Sequence, residues 1–225
     1  MCWVCCGIRV SDRQPFIDAG LRALAAELEG VDRSAYAAAG RDPCEPIFGL
    51  GPEHAKIAFF GRDPGREEVQ VGKPFVGAGG RQIRNVLHAR QPETAGDAYF
   101  WVNTVPYKPM GNKAWSMSVK RQFQPFVAEV LLTQWQGADI ITLGREAFFW
   151  FAIAQDKAVA EAIKAHWASS DRFTNTLQID YEGPASAAGR TLRLHPLPHP
   201  SPLNAVWFKR FPDMLASRLD ALEHS

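Results

Sequence analysis

Apolar positions in this chain follow two rhythms. Phe16, Leu21, Leu24, Ala25 and Leu28 recur at the spacing of one helical face, and the pattern stops at Gly30. Ile57 to Phe60 is instead an unbroken apolar run closed by Gly61, the mark of a strand buried on both faces. The two rhythms then alternate. Helix is predicted over 79–89, with Ile83, Val86 and Leu87 on one face, and strand from Tyr99 to Val105, closed by Pro106. Val119 to Trp135 reads as a helix that Pro125 should kink or restart. Ile140 to Leu143 reads as a third strand, and Gly144-Arg145-Glu146 opens a helix through Phe149 and Phe151. A helix around 155–167, a strand from Thr191 to Leu194 and a closing helix from Asn204 to Leu222, interrupted by Pro212, complete the pattern. Gly40 to Pro52 is a loop, and Ala168 to Gly189 is irregular, either a protrusion or a loop. Short apolar strands alternating with helices predict an α/β fold: three layers, α/β/α, around a mainly parallel four-stranded sheet. No repeat or low-complexity linker divides it, so one domain over residues 1–225 is expected.

Composition narrows the partners. The chain has 225 residues, is 46% apolar and carries seven tryptophans, which suits an ordinary packed core. A net charge of +1 excludes reliance on a large overall field to find nucleic acid and leaves room for local basic patches. Lys108, Lys113, Lys120 and Arg121 form one candidate patch, and Lys209 with Arg210 another. No 18-residue apolar run or signal-peptide pattern occurs, so a cytoplasmic protein with reduced thiols and no membrane partner is expected. Cys2-x-x-Cys5 has metal-ligand spacing, with Cys6 beside it and Cys44 as a conceivable third ligand, but no second pair completes a four-ligand site. A metal or redox protein is therefore a separate reading, which colour and metal content decide.

The chemically loaded segments all follow predicted strands: Gly61–Gly65, Asn103–Lys108 and His195–Leu203. In open α/β sheets ligands bind beyond the carboxyl ends of the strands, so the three should meet in one cleft. In the last segment prolines at 196, 198, 200 and 202 exclude a helix or a central strand. They hold His195, His199 and Ser201 on a stiff rim and push Leu203 outward. His195 lies on a loop rather than a helix, so a zinc pair with His199 is disfavoured and a supporting role expected. Asp63 sits in a tight turn between glycines, where a carboxylate can orient water or stabilise developing positive charge. Phe75, within Gly72-Lys-Pro-Phe-Val-Gly77, is either a core ring or a stacking platform for a planar base. Asn103 either caps a turn or offers a donor and an acceptor to a pyrimidine edge.

In this order and spacing the segments resemble the uracil-DNA glycosylase superfamily. Gly61-Arg-Asp-Pro-Gly65 resembles its first motif and His199-Pro-Ser-Pro-Leu203 its second. Gly72 to Gly77, and Asn103-Thr-Val-Pro-Tyr-Lys-Pro-Met-Gly-Asn112, resemble segments of the iron–sulfur-containing family four. The resemblance implies excision of uracil from single- or double-stranded DNA by hydrolysis, without a cofactor, leaving an abasic site for base excision repair. It implies that Asp63 orients the water and His199 bonds uracil O2, with Phe75 stacking on the flipped base and Asn103 reading its edge. Gly61, Arg62 and Gly65 would lie against the base. Ser201, Lys108 and Asn204 would face the DNA, with Leu203 filling the vacated stack.

Two departures follow. Asp63 matches the aspartate of family one rather than the non-aspartate residue usual in family four, and Tyr107 and Phe123 stand where the third and fourth cluster cysteines would be. Packing by those two rings is expected in place of an iron–sulfur cluster. Gly65 stands where family one has a tyrosine that blocks C5 substituents, which predicts a looser pocket. The alternative in another class is a module that binds damaged DNA without turnover, and a water-orienting Asp63 favours the enzyme.

Overall fold

Strand β1 (Ile57–Gly61) is buried along its whole length, as its apolar run requires. In this computed structural model, which describes residues 10–93, 96–111 and 113–223, β1 lies near the middle of a five-stranded sheet. Its partners are β2 (Phe100–Asn103) on one side and β3 (Asp139–Leu143) on the other, both parallel. Next come β5 (Arg190–Leu197), parallel to β3, and β4 (Leu177–Tyr181), antiparallel to β5, in the order β2-β1-β3-β5-β4.

The four expected strands are present, and β4 is a fifth that corrects the four-stranded expectation. It lies in the stretch that reads as irregular because only alternate residues, Ile179 and Tyr181, are fully buried while Gln178 and Asp180 are exposed. An edge strand with one wet face has no apolar run to reveal it.

Alternation along the strands divides the core. Ala58, Phe60, Phe100, Val102, Ile140 and Leu194 face one layer, and Phe59, Trp101, Ile141, Leu143 and Leu197 face the other. The first layer contains α1 (Val10–Glu27), α2 (Arg33–Ala38), α5 (Met117–Thr133), α6 (Arg145–Trp150) and α7 (Lys157–Ala168). The second contains α4 (Ala78–Arg90) and α9 (Phe211–Glu223), which bury Ile83, Leu87, Phe211, Leu215 and Leu219. Two short helices, α3 (Arg66–Val71) and α8 (Ala205–Phe208), follow the first and last chemically loaded segments.

Three prolines behave differently from expectation. Helix α5 runs unbroken through Pro125, because Pro125 and Arg121 both lie on its exposed side and the unmade bond leaves a carbonyl for water. The closing helix breaks at Lys209–Arg210 rather than at Pro212, which stands in the first turn of α9, where no N–H is needed. Strand β5 continues through His195, Pro196 and Leu197 instead of ending at Leu194. Arg193 donates to Ala138 and Leu197 accepts from Gly144, so odd-numbered residues of β5 face β3. Pro196 faces the opposite side, where β4 has no residue beyond Leu177, paired with Leu194. The missing donor falls where no acceptor waits.

Candidate active site

Sheet order reverses at β1, with β2 on one flank and β3 on the other, and this is the position at which α/β sheets open a crevice. A cavity of about 670 Å³ lies there. Gly61–Glu68, Phe75, Asn103, Leu143 and His199–Asn204 are among the residues that line it, so the three loaded segments do converge.

Gly61 makes the floor possible. A Cβ on it would stand 2.6 Å from the Phe75 ring and 3.2 Å from Asn103 Oδ1, so a side chain there would displace both. Phe75 packs on Trp101 at a centroid separation of 5.1 Å and also borders the cavity. Its backbone is strained, with φ of 56°. Two contacts hold it there: Arg84 Nε donates to the Phe75 carbonyl at 3.1 Å, and Gly80 lets that carbonyl approach where a Cβ would stand 2.0 Å away. Asn103, buried at the end of β2, faces the same space.

Glu68 is a residue that the sequence reading missed. Its carboxylate accepts from the backbone N–H groups of Gly65 (3.0 Å), Val76 (3.1 Å) and Gly77 (2.7 Å), tying the first loop to the Phe75 loop. A Cβ on Gly65 would lie 2.6 Å from Glu68 Oε2, so the bare glycine makes room for this tie. Its position three residues after the N-cap Gly65 is capping-box spacing, a signal present in the sequence.

The Asp63 side chain is only 1% exposed. Its Oδ2 lies 3.1 Å from Arg62 Nε, and its Oδ1 lies 3.3 Å from Thr104 Oγ1. Burial pushes its carboxyl up to about 6, against the pull of Arg62 and Lys120. At neutral pH it is a carboxylate with a proton affinity near that of a useful base. His199 moves the other way: burial, then the Arg62 charge, lower it to about 4, so the imidazole is neutral. It is seated against Gly144 (φ 90°), where a Cβ would meet its own Cβ at 2.9 Å. The arrangement pairs a buried anion with a neutral N–H donor across a cavity walled by an aromatic ring and a carboxamide. It can stabilise positive charge on one part of a ligand and negative charge on another.

At the rim, Ser201 N donates to the His199 carbonyl at 2.9 Å, and Ser201 Oγ accepts from Leu203 N at 3.3 Å. Asn204 Nδ2 donates to the same His199 carbonyl at 3.3 Å, so its amide braces the loop. Leu203 is 84% exposed beside the opening.

Lys108 departs from its expected place on a DNA-facing surface. It is 4% exposed, and its Nζ donates to Asp32 (2.8 Å), the Pro109 carbonyl (2.9 Å) and the Gly111 carbonyl (2.8 Å). With all three donors engaged, none is left for a phosphate. Lys120 is also buried, paired with Glu146 of α6, whereas Lys113, Arg121, Lys209 and Arg210 are exposed. His195 supports the loop from within β5: its Nε2 donates to Asp139 at 2.9 Å, and its Nδ1 accepts from Thr176 at 3.0 Å.

The residues present do not suit an iron–sulfur cluster among the described positions. Tyr107 and Phe123, both fully buried, pack on each other at 5.6 Å, and Tyr107 donates its hydroxyl to the Cys44 carbonyl. Cys44 is the one free thiol among the described residues, and no cluster of three metal-ligating side chains occurs among them. Cys2, Cys5 and Cys6 lie outside the described residues.

Comparison with known proteins gives two findings. Residues 48–223 match the family described as the uracil DNA glycosylase superfamily. A 41-residue stretch is 46% identical to a type-4 uracil-DNA glycosylase of Archaeoglobus fulgidus, covering 18% of this chain and 21% of that protein. No helix among the described residues is long and apolar enough to cross a membrane.

Proposed function

The chain belongs to the uracil DNA glycosylase superfamily, and on that premise we propose that it flips uracil out of DNA and excises it by hydrolysis. The observation that carries this reading is the meeting of a buried, ionised Asp63 and a neutral His199 in one cavity with Phe75 and Asn103. The flipped base stacks on Phe75, and Asn103 offers its carboxamide to the base edge. The bond from C1′ to N1 breaks, with its electron pair going to the base. His199 donates a hydrogen bond to O2, where that charge collects. Asp63 stabilises the oxocarbenium-like sugar and accepts the proton of the water whose oxygen bonds to C1′. Leu203 fills the vacated stack, and Ser201 holds a phosphate beside it.

Gly65 extends the reading to substrate range: no ring stands at this position, and the Glu68 carboxylate takes the place of a Cβ. With no side chain at this position, the pocket admits uracils substituted at C5, or a deaminated purine. Excision of 5-hydroxymethyluracil or hypoxanthine alongside uracil is the expected result, and uracil alone would contradict it.

Alkali treatment of a uracil-containing oligonucleotide after incubation tests the main reading. Strand cleavage at the uracil, absent with a cytosine at the same position, is expected. A retained gel shift with no abasic site would make the protein a binding module instead.

A further inference from the structure

Arg62 lines the same cavity as Asp63 and His199, the two groups on which the proposed reaction depends. Its carbonyl is fixed by Thr104, which donates both N–H (2.9 Å) and hydroxyl (2.8 Å) to it. The side chain is 29% exposed, lies against the cavity and brings Nε to within 3.1 Å of Asp63 Oδ2. We propose that Arg62 is a positioning residue for both groups at once, fixing the Asp63 carboxylate in place and keeping a proton off His199. This inference rests on the roles assigned above to Asp63 and His199.

The physical argument is one of sign. Burial alone would neutralise both groups: it favours a protonated acid and an unprotonated imidazole. The proposed reaction needs the imidazole neutral and the acid charged, so burial assists one and opposes the other. A single cation corrects this. Positive charge draws a proton off a carboxyl and repels one from an imidazole, lowering both affinities together. An anion or a neutral residue at position 62 would do neither.

Other charged groups nearby do not share this double action. Lys120 from α5 and Glu146 from α6 also act on Asp63, but they are paired with each other and pull in opposite directions. Glu67 is engaged by Arg81, and Glu68 by three backbone N–H groups. For His199, Arg62 is the charge that acts alongside burial.

The test is an NMR titration of the Asp63 carboxyl and the His199 ring in the full chain, comparing wild type, Arg62→Gln and Arg62→Lys. Loss of the charge should raise both midpoints in Arg62→Gln, by about one pH unit each, and Arg62→Lys should restore most of the shift. Mere loosening of the loop would admit water and move the midpoints in opposite directions, Asp63 down and His199 up. That result, or no movement of either midpoint, would overturn the proposal. In single-turnover excision of uracil, the acid limb of the rate profile should move up with Asp63 in Arg62→Gln and return in Arg62→Lys. If wild type excises no uracil, the glycosylase reading falls, and the two titrations still decide the role of Arg62.

Discussion

Asp63 carries its working charge at a cost to the fold. Its carboxyl lies near 6 in the folded protein against 3.8 ordinarily, so the native state holds the extra proton between those values. Its contribution is therefore most favourable below pH 3.8 and is lost as pH rises through 6, a cost on the order of 2–3 kcal/mol at neutral pH. Asp63→Asn should raise the melting temperature at pH 7 while reducing excision, and the gain should vanish by about pH 4. Thermal unfolding of both proteins at several pH values checks this. Leu203 poses the converse case. It is 84% exposed, so Leu203→Ala should alter stability by less than about 0.5 kcal/mol. Excision from duplex should fall more than from single strands, because only the duplex leaves a gap to fill. Paired rate measurements on the two substrates decide it.

At the level of elements, the legible parts were those with a periodic apolar signal. Strands β1, β2 and β3 follow from buried apolar runs and the first half of β5 from Leu192 and Leu194 alternating with exposed residues, and the site from its place at the strand ends. What escaped reading depends on neighbours rather than on local pattern. Pro196 fits a strand only because β4 stops short of it, and β4 itself has one wet face. Lys108 resembles a surface cation in sequence, yet Asp32, 76 residues earlier, draws it inside. Glu68 was recoverable in part: its spacing from Gly65 announces a cap, but its reach to Val76 and Gly77 requires the fold. Glu68→Ala should leave three N–H groups without their acceptor and cost about 1–3 kcal/mol. Hydrogen exchange should quicken at Val76 and Gly77, and excision should weaken as Phe75 loses its fixed place. Unchanged exchange at those two amides would argue against the tie.

Across the molecule, the titrating groups sort by sign. His199 and His195 are both held neutral by burial, so each withdraws stability as pH falls below 6.5, His199 down to about 4. Asp63 works in the opposite direction between 6 and 3.8 and offsets part of that loss. Below that range Asp139 takes over. Burial pushes it up, but bonds from His195 and Arg193 prevail and hold it near 2, so its contribution is lost as pH falls from 3.8 through 2. The wild type should accordingly lose stability slowly from pH 6 to 4, and Asp63→Asn more steeply. The account as a whole depends on Asp63 acting on water beside a base seated on Phe75 and Asn103. Single-turnover release of free uracil, measured for wild type and Asp63→Asn under identical conditions, tests it most directly. Release by the wild type with a loss of about two orders of magnitude or more in the variant is predicted. Equal rates in the two proteins would contradict it.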